Sequence, residues 1–159
     1  MKLALPDAAA TSALACRLGA VLPRNTAGWT LLLEGELGAG KSTFARALIQ
    51  SMGHEGAVPS PTYTLVEPYN LTDRIIYHID LYRVSDEEEL RFLGWTELED
   101  GFRLVEWPER APGLTGTADL KLHLDYTDHG RQAELQALSD RAMLLLSLLN
   151  DQADIQQQD

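Results

Sequence analysis

The chain is poor in cysteine, in basic charge and in long apolar runs, and each shortage excludes something. A single cysteine, Cys16, rules out an internal disulfide. It falls in a stretch of helical periodicity, where a buried structural thiol is expected. No apolar run approaches the ~18 residues that a membrane-spanning helix needs. Met1-Lys2-Leu3-Ala4-Leu5-Pro6-Asp7 lacks the long apolar core of a signal peptide. Lys and Arg number 13 against 24 Asp and Glu, a formal net charge of −11. Broad electrostatic attraction to nucleic acid is thereby disfavoured, so any nucleic acid is expected to be held by a partner. These absences together predict a cytoplasmic protein without membrane contact.

What is present suffices for one domain. The 159 residues are 45% hydrophobic, enough for a substantial core. The expected domain covers residues 1–150, followed by a polar, frayed tail over 151–159. Asp7 can cap a first helix carrying Leu14, Leu18, Val21 and Leu22, which Pro23 ends. Trp29-Thr30-Leu31-Leu32-Leu33 reads as a strand buried on both faces. Leu65-Val66-Glu67-Pro68-Tyr69 reads as an extended segment that its proline confines to a sheet edge. Arg74–Asp80 and Phe102–Glu106 read as further buried strands. Between them, Ser85 and Glu88 have the spacing of a capping box, with Leu90 and Leu93 facing inward and Gly94 as the stop. Leu120, Leu122, Leu124 and Tyr126 alternate with polar residues, as do Ala133, Leu135 and Ala137. Thr127-Asp128-His129-Gly130 suits the hairpin turn between them. Leu144 to Leu149 belong to a closing helix. The pattern predicts a three-layer α/β fold with parallel central strands and antiparallel C-terminal strands.

The segment with the most chemical content is Gly35-Glu36-Leu37-Gly38-Ala39-Gly40-Lys41-Ser42-Thr43. It spells G-x-x-x-x-G-K-S, a phosphate-binding loop. Glycines let the backbone wrap a phosphate, and successive N–H groups form an anion nest. Lys41 supplies a mobile positive charge, Ser42 a hydroxyl for Mg²⁺, and the following helix its positive end. The flanks agree. A buried strand precedes the loop, and Phe44, Ala45, Leu48, Ile49 and Met52 follow at helical spacing, with Gly53 as the stop.

Hydrolysis requires a group that completes the metal shell and one that orients water. Asp80 and Glu106 both end buried strands, and parallel strands deliver their C-terminal ends to the ligand crevice. Spacing does not divide the two roles between them. Ser60-Pro61-Thr62 lies between the loop helix and the Asp80 strand, a connection that carries switch loops in nucleotide hydrolases. It reads equally as a rigid proline turn. His78 has no companion at metal spacing and reads as a strand histidine satisfied by a hydrogen bond. Trp107 reads either as a neighbour of the nucleotide site or as core.

These segments together resemble the TsaE (YjeE) family, small bacterial P-loop ATPases required for N6-threonylcarbamoyladenosine (t6A) synthesis on tRNA. The resemblance rests on residues 35–43, on Ser60-Pro61-Thr62-Tyr63-Thr64-Leu65-Val66-Glu67-Pro68-Tyr69, on His78-Ile79-Asp80-Leu81-Tyr82-Arg83 and on Val105-Glu106-Trp107-Pro108-Glu109. It implies a P-loop NTPase fold with ATP and Mg²⁺ as cofactors. Glu36, Leu37, Gly38, Ala39, Gly40, Lys41, Ser42 and Thr43 are then nucleotide-binding. Ser42 and Glu106 hold magnesium, Asp80 is tied to hydrolysis, and Lys41 and Thr62 join it as catalytic residues. Gly130-Arg131 resembles a family Gly-Arg pair, which implies that Arg131 lies near the base. The implied partners are TsaD and TsaB, whose complex such an ATPase resets between cycles.

A small-molecule kinase is the alternative, since kinases share the loop. Arg83, Arg91 and Arg110 form no recognisable lid cluster for one. No Asn-Lys-x-Asp motif for reading guanine occurs. A nucleotide-gated module without turnover would not need both Asp80 and Glu106.

Overall fold

The structure is a computed structural model that describes residues 1–156. The chain forms β1 (Lys2–Leu5), α1 (Ala8–Val21), β2 (Thr30–Gly35), α2 (Lys41–Ser51), β3 (Val66–Asn70), β4 (Ile75–Asp80), α3 (Glu89–Phe92), β5 (Phe102–Glu106), β6 (Leu120–Thr127), β7 (Gly130–Ala137) and α4 (Asp140–Gln156). Short 3-10 turns at Trp95–Asp100, Pro108–Arg110 and Pro112–Gly116 connect α3 to β5 and β5 to β6.

The seven strands make one sheet in the order β1-β7-β6-β2-β5-β4-β3. The central run β6-β2-β5-β4 is parallel, and the pairs β1/β7, β7/β6 and β4/β3 are antiparallel. The three-layer α/β reading is thus borne out, with antiparallel strands on both flanks. Alternation along β2 explains the layers. Leu31 and Leu33 face a core with Leu14, Leu18, Phe44, Leu48 and Leu145, contributed by α1, α2 and α4. Leu32 faces the other way, into Ile79, Val105, Leu90 and Leu114. That second layer is thin, built from α3 and 3-10 turns instead of long helices.

Local signals act as read at several ends. Asp7 Oδ1 accepts from Ala10 N at 2.8 Å and caps α1. Pro68 lies in β3, an edge strand paired with β4 alone. Thr127 pairs with Gly130 across the hairpin.

Four points need correction or completion. Cys16 is exposed, because α1 buries the opposite face through Thr11, Leu14, Ala15 and Leu18. Ser85 does not box with Glu88. Its N–H and hydroxyl both donate to Glu89 Oε1, at 3.2 and 2.8 Å, and the helix begins at Glu89 with Glu88 as its N-cap, not directly after Ser85. β1 has no strong signal in four residues and is fixed by β7. The expected tail 151–159 continues α4 as far as Gln156, and 157–159 lie outside the described residues. Among the described residues, no helix is long and apolar enough to cross a membrane.

One buried carboxylate ties the layers together. Asp119 accepts from Thr30 N at 3.0 Å, Ser139 Oγ at 2.7 Å, Arg141 Nε at 2.7 Å and Arg141 Nη2 at 2.8 Å. It thereby links the start of β2 to the start of α4. Burial pushes its pKa up, but the bonds from Arg141, Ser139 and the Thr30 N–H prevail and hold it below the ordinary value.

Candidate functional site

The site forms where β2, β4 and β5 end. β2 stops at Gly35, and the chain turns through residues 36–40 before Lys41 opens α2. The turn requires glycine at Gly38 and Gly40, with φ of 78° and 114°. Gly38 also lies so close to β6 that an added Cβ would sit 2.6 Å from the Tyr126 hydroxyl oxygen. The hairpin braces the loop from behind. Tyr126 Oη donates to Leu37 O at 2.7 Å, and Arg131 Nη2 donates to Gly38 O at 3.3 Å. The Arg131 guanidinium stacks on Tyr126 at 4.0 Å.

Lys41 is buried at 5% exposure. Its ammonium donates to Gly35 O and to Glu36 O of its own loop and lies 4.1 Å from the centroid of the Trp107 ring. Burial lowers its pKa, and Glu106, Glu109 and Asp80 oppose that effect. Trp107 reaches this place because its backbone is left-handed, with φ of 58°. Its ring also packs against Tyr82 at 5.0 Å.

Parallel pairing of β4 with β5 places Asp80 directly across from Glu106. Glu106 Oε1 accepts from Ser42 Oγ at 3.2 Å, and its Oε2 lies 2.9 Å from His78 Nε2. Asp80 accepts from Tyr82 N at 2.9 Å and from Thr62 Oγ1 at 3.2 Å. Burial raises the Asp80 pKa, with Glu106 adding to it, against the lowering effect of the Tyr82 N–H, Thr62 and His78. Leu65, three residues after Thr62, is held at φ of 67° and accepts from Asp80 N at 2.9 Å. The two non-glycine residues with positive φ among the described residues therefore both adjoin this site. Strained backbone of this kind persists where the surroundings over-determine it.

Most of the anticipated residues converge. Leu37, Gly38, Gly40, Lys41, Ser42, Thr43, Thr62, Asp80 and Glu106 line one cleft of about 280 Å³, joined by Tyr82 and Trp107. Arg131 does not enter it. With Ala39, Pro6, Asp7 and Thr11 it lines a second cleft of about 240 Å³ behind the loop, to which Gly38, Gly40 and Thr43 also contribute. Glu36 lies with Leu124, Asp125 and Tyr126 on a separate surface depression. Sequence reasoning left Trp107 undecided and missed Tyr82 and the bracing Tyr126. The His78–Glu106 contact had a faint signal, since His78 and Asp80, two apart on one strand, share a face.

The donor set fits a magnesium nucleotide. The cleft offers oxygen donors, the hydroxyls of Ser42, Thr43, Ser60 and Thr62 and the carboxylates of Asp80 and Glu106, beside a glycine cradle and a buried ammonium. Among the described residues no three His, Cys, Asp or Glu side chains converge as a complete metal cage. Mg²⁺ is commonly bound through one or two carboxylates plus substrate phosphates and water, so a partial set is what it needs.

Comparison with known proteins gives a family. Residues 5–134 match the family model described as threonylcarbamoyl adenosine biosynthesis protein TsaE. The chain is 44% identical over 121 residues to the tRNA threonylcarbamoyladenosine biosynthesis protein TsaE of Haemophilus influenzae, covering 75% of this chain and 77% of that protein. It is 38% identical over 140 residues to the TsaE protein of a Nostoc species, covering 84% of each. The crystal structure of Bacillus subtilis YdiB is similar with a TM-score of 0.72 and 26% identity, covering 96% of this chain and 94% of that one.

Proposed function

Because the chain belongs to the TsaE family of tRNA threonylcarbamoyladenosine biosynthesis, we propose that it is the ATP-binding, magnesium-dependent ATP-hydrolysing subunit of that machinery and acts on a TsaD–TsaB complex. One observation carries the reading. The glycine loop and Lys41 share a cleft with two strand-end carboxylates set in register, Asp80 and Glu106. A binding module needs the loop and Lys41, whereas turnover also needs a group that aims water.

The roles follow from chemistry. The loop N–H groups of residues 36–43 bind phosphate oxygens, and Lys41 exchanges its carbonyl partners for them. Ser42 and Glu106 hold Mg²⁺. When bound, the ion supplies positive charge that stabilises phosphoryl transfer. Asp80, fixed by the Tyr82 N–H and by Thr62, orients the attacking water. Trp107 covers Lys41 and limits water around it. Arg131 and the second cleft lie next to the loop, where the base and ribose can extend.

Phosphate release from ATP, measured with and without TsaD–TsaB, tests the assignment. Asp80→Asn is expected to keep ATP affinity and slow release. Losing one charge-assisted hydrogen bond of about 1.5 kcal/mol corresponds to roughly a tenfold rate loss. Glu106→Gln is expected to raise the Mg²⁺ concentration needed for binding. Unchanged release by both variants would show that the wrong carboxylates were chosen. Accumulation of a phosphorylated metabolite in place of free phosphate would favour the kinase alternative.

The same cleft supports a partner switch. Thr62 Oγ1 bonds Asp80, and the strained Leu65 anchors its loop to β4. A γ-phosphate that engages Thr62 shifts this loop only by its differential affinity for the two loop states. ATP and ADP are therefore expected to give different affinities for TsaD–TsaB, and Thr62→Ala to shrink the difference. Linkage requires the partners to alter nucleotide affinity by the same factor, which calorimetric titration measures. Equal partner affinity with ATP, ADP and no nucleotide would remove the switch and leave the ATPase assignment in place.

A further inference from the structure

We infer that His78 is a positioning residue, which fixes the Glu106 carboxylate for metal binding; this rests on the reading of Glu106 as a magnesium ligand. His78 is 1% exposed and Glu106 2%, and they meet at 2.9 Å between Nε2 and Oε2. An ionised carboxylate has no hydrogen to give, so the imidazole Nε2–H is the donor. The register pairs His78 with Leu104, and the ring reaches diagonally to Glu106, two residues further along β5. The other oxygen, Oε1, accepts from Ser42 at 3.2 Å. One oxygen is thus pinned to the sheet, and the other stays beside the phosphate-loop hydroxyl.

Packing does not explain a histidine here. β4 is otherwise rich in isoleucine, with Ile75, Ile76 and Ile79, as suits a buried parallel strand. His78 Nδ1 is buried without a hydrogen-bond partner among the described residues, a cost that an apolar side chain would avoid. Among the described residues, the ring's single hydrogen-bonded contact is Glu106. Glutamate has three rotatable side-chain bonds, and a fixed donor removes much of that freedom before the metal arrives. Outer partners of metal ligands act in this way, and their loss typically costs about 10–100-fold in metal affinity.

The test is a binding titration, independent of turnover. A fluorescent ATP analogue is titrated onto the whole chain at stepped Mg²⁺ concentrations, for wild type, Glu106→Gln, His78→Leu, His78→Asn and His78→Gln. Leucine has no donor, and the asparagine amide is too short to reach Glu106. The glutamine amide can stand in for Nε2. His78→Leu and His78→Asn are expected to raise the Mg²⁺ midpoint about tenfold while Mg²⁺-free affinity stays within twofold of wild type, and His78→Gln is expected to recover most of the loss. Thermal unfolding without nucleotide selects the folded variants, and either Leu or Asn suffices. A wild-type midpoint in the folded loss variant, or a parallel fall in Mg²⁺-free affinity, would overturn the positioning role alone. A wild type whose affinity ignores Mg²⁺ would overturn the magnesium reading of Glu106 itself, and the inference with it.

Discussion

Mg-ATP is expected to raise the melting temperature of the wild type, and Lys41→Ala is expected to abolish that rise. Binding to the native state adds RT ln(1 + [L]/Kd), about 2.7 kcal/mol at a hundredfold excess over Kd. For a domain of this size that is about 5–10 °C. Lys41 is the one lysine or arginine among the described residues lining the cleft, and its present partners are two carbonyls of its own loop. Removing it should not unfold the apo protein. Burial lowers its pKa, so folding disfavours the charged form, and the folded state holds that charge at a cost. The apo melting temperature of the variant should therefore match or exceed that of the wild type. Differential scanning measures both quantities. An equal ATP-dependent shift in the two proteins would remove Lys41 from the site, and a collapsed apo protein would make it structural.

The second large effect lies outside the cleft. Asp119→Ala is expected to destabilise the chain by about 3 kcal/mol, the low end for breaking a buried ion pair. The low end applies because Arg141 is half-exposed and can rehydrate. The buried Thr30 N–H cannot, and it loses its side-chain acceptor. The melting temperature should fall by roughly 10 °C. The pH dependence has a definite sign. The folded Asp119 pKa is depressed, so the unfolded chain binds the proton more readily. Its stabilisation is complete above the ordinary carboxylate value near 3.8 and is lost as pH falls below it through the folded pKa. Asp119→Asn should flatten that limb of the stability curve. Denaturant unfolding at stepped pH reads the slope, and an unchanged slope would mean that the carboxylate is not the group responsible.

The glycine-lysine loop was legible because its pattern is local. Glycines at the left-handed positions, a lysine at the helix start and a buried strand before them are all neighbours in the chain. The same holds for the Asp7 cap, the edge strand marked by Pro68 and the hairpin at 127–130. Each is decided by backbone preference or by alternation over a few residues. Helix starts were less secure where two acceptors compete. Ser85 had both Glu88 and Glu89 within reach, and the acceptor that bonds it in the fold is Glu89.

Composition and spacing determined the layers, the glycine-lysine loop and the two strand-end carboxylates. The tertiary structure decided which groups meet. Register, a property of two strands rather than one, puts Asp80 opposite Glu106 and lets His78 reach it. A left-handed backbone at Trp107 turns its ring over Lys41, although tryptophan carries no sign of that conformation in the sequence. Arg131 and Tyr126 reach the loop because β6 pairs with β2, across a crossover that covers most of the chain. Cys16 shows the same limit on the surface. Helical periodicity foretold the helix, but the stripe that packs on α2 fixed which side is buried, and that stripe excludes it. Local rules act through neighbours along the chain, whereas these contacts depend on residues tens of positions apart, whose meeting only the packed fold sets.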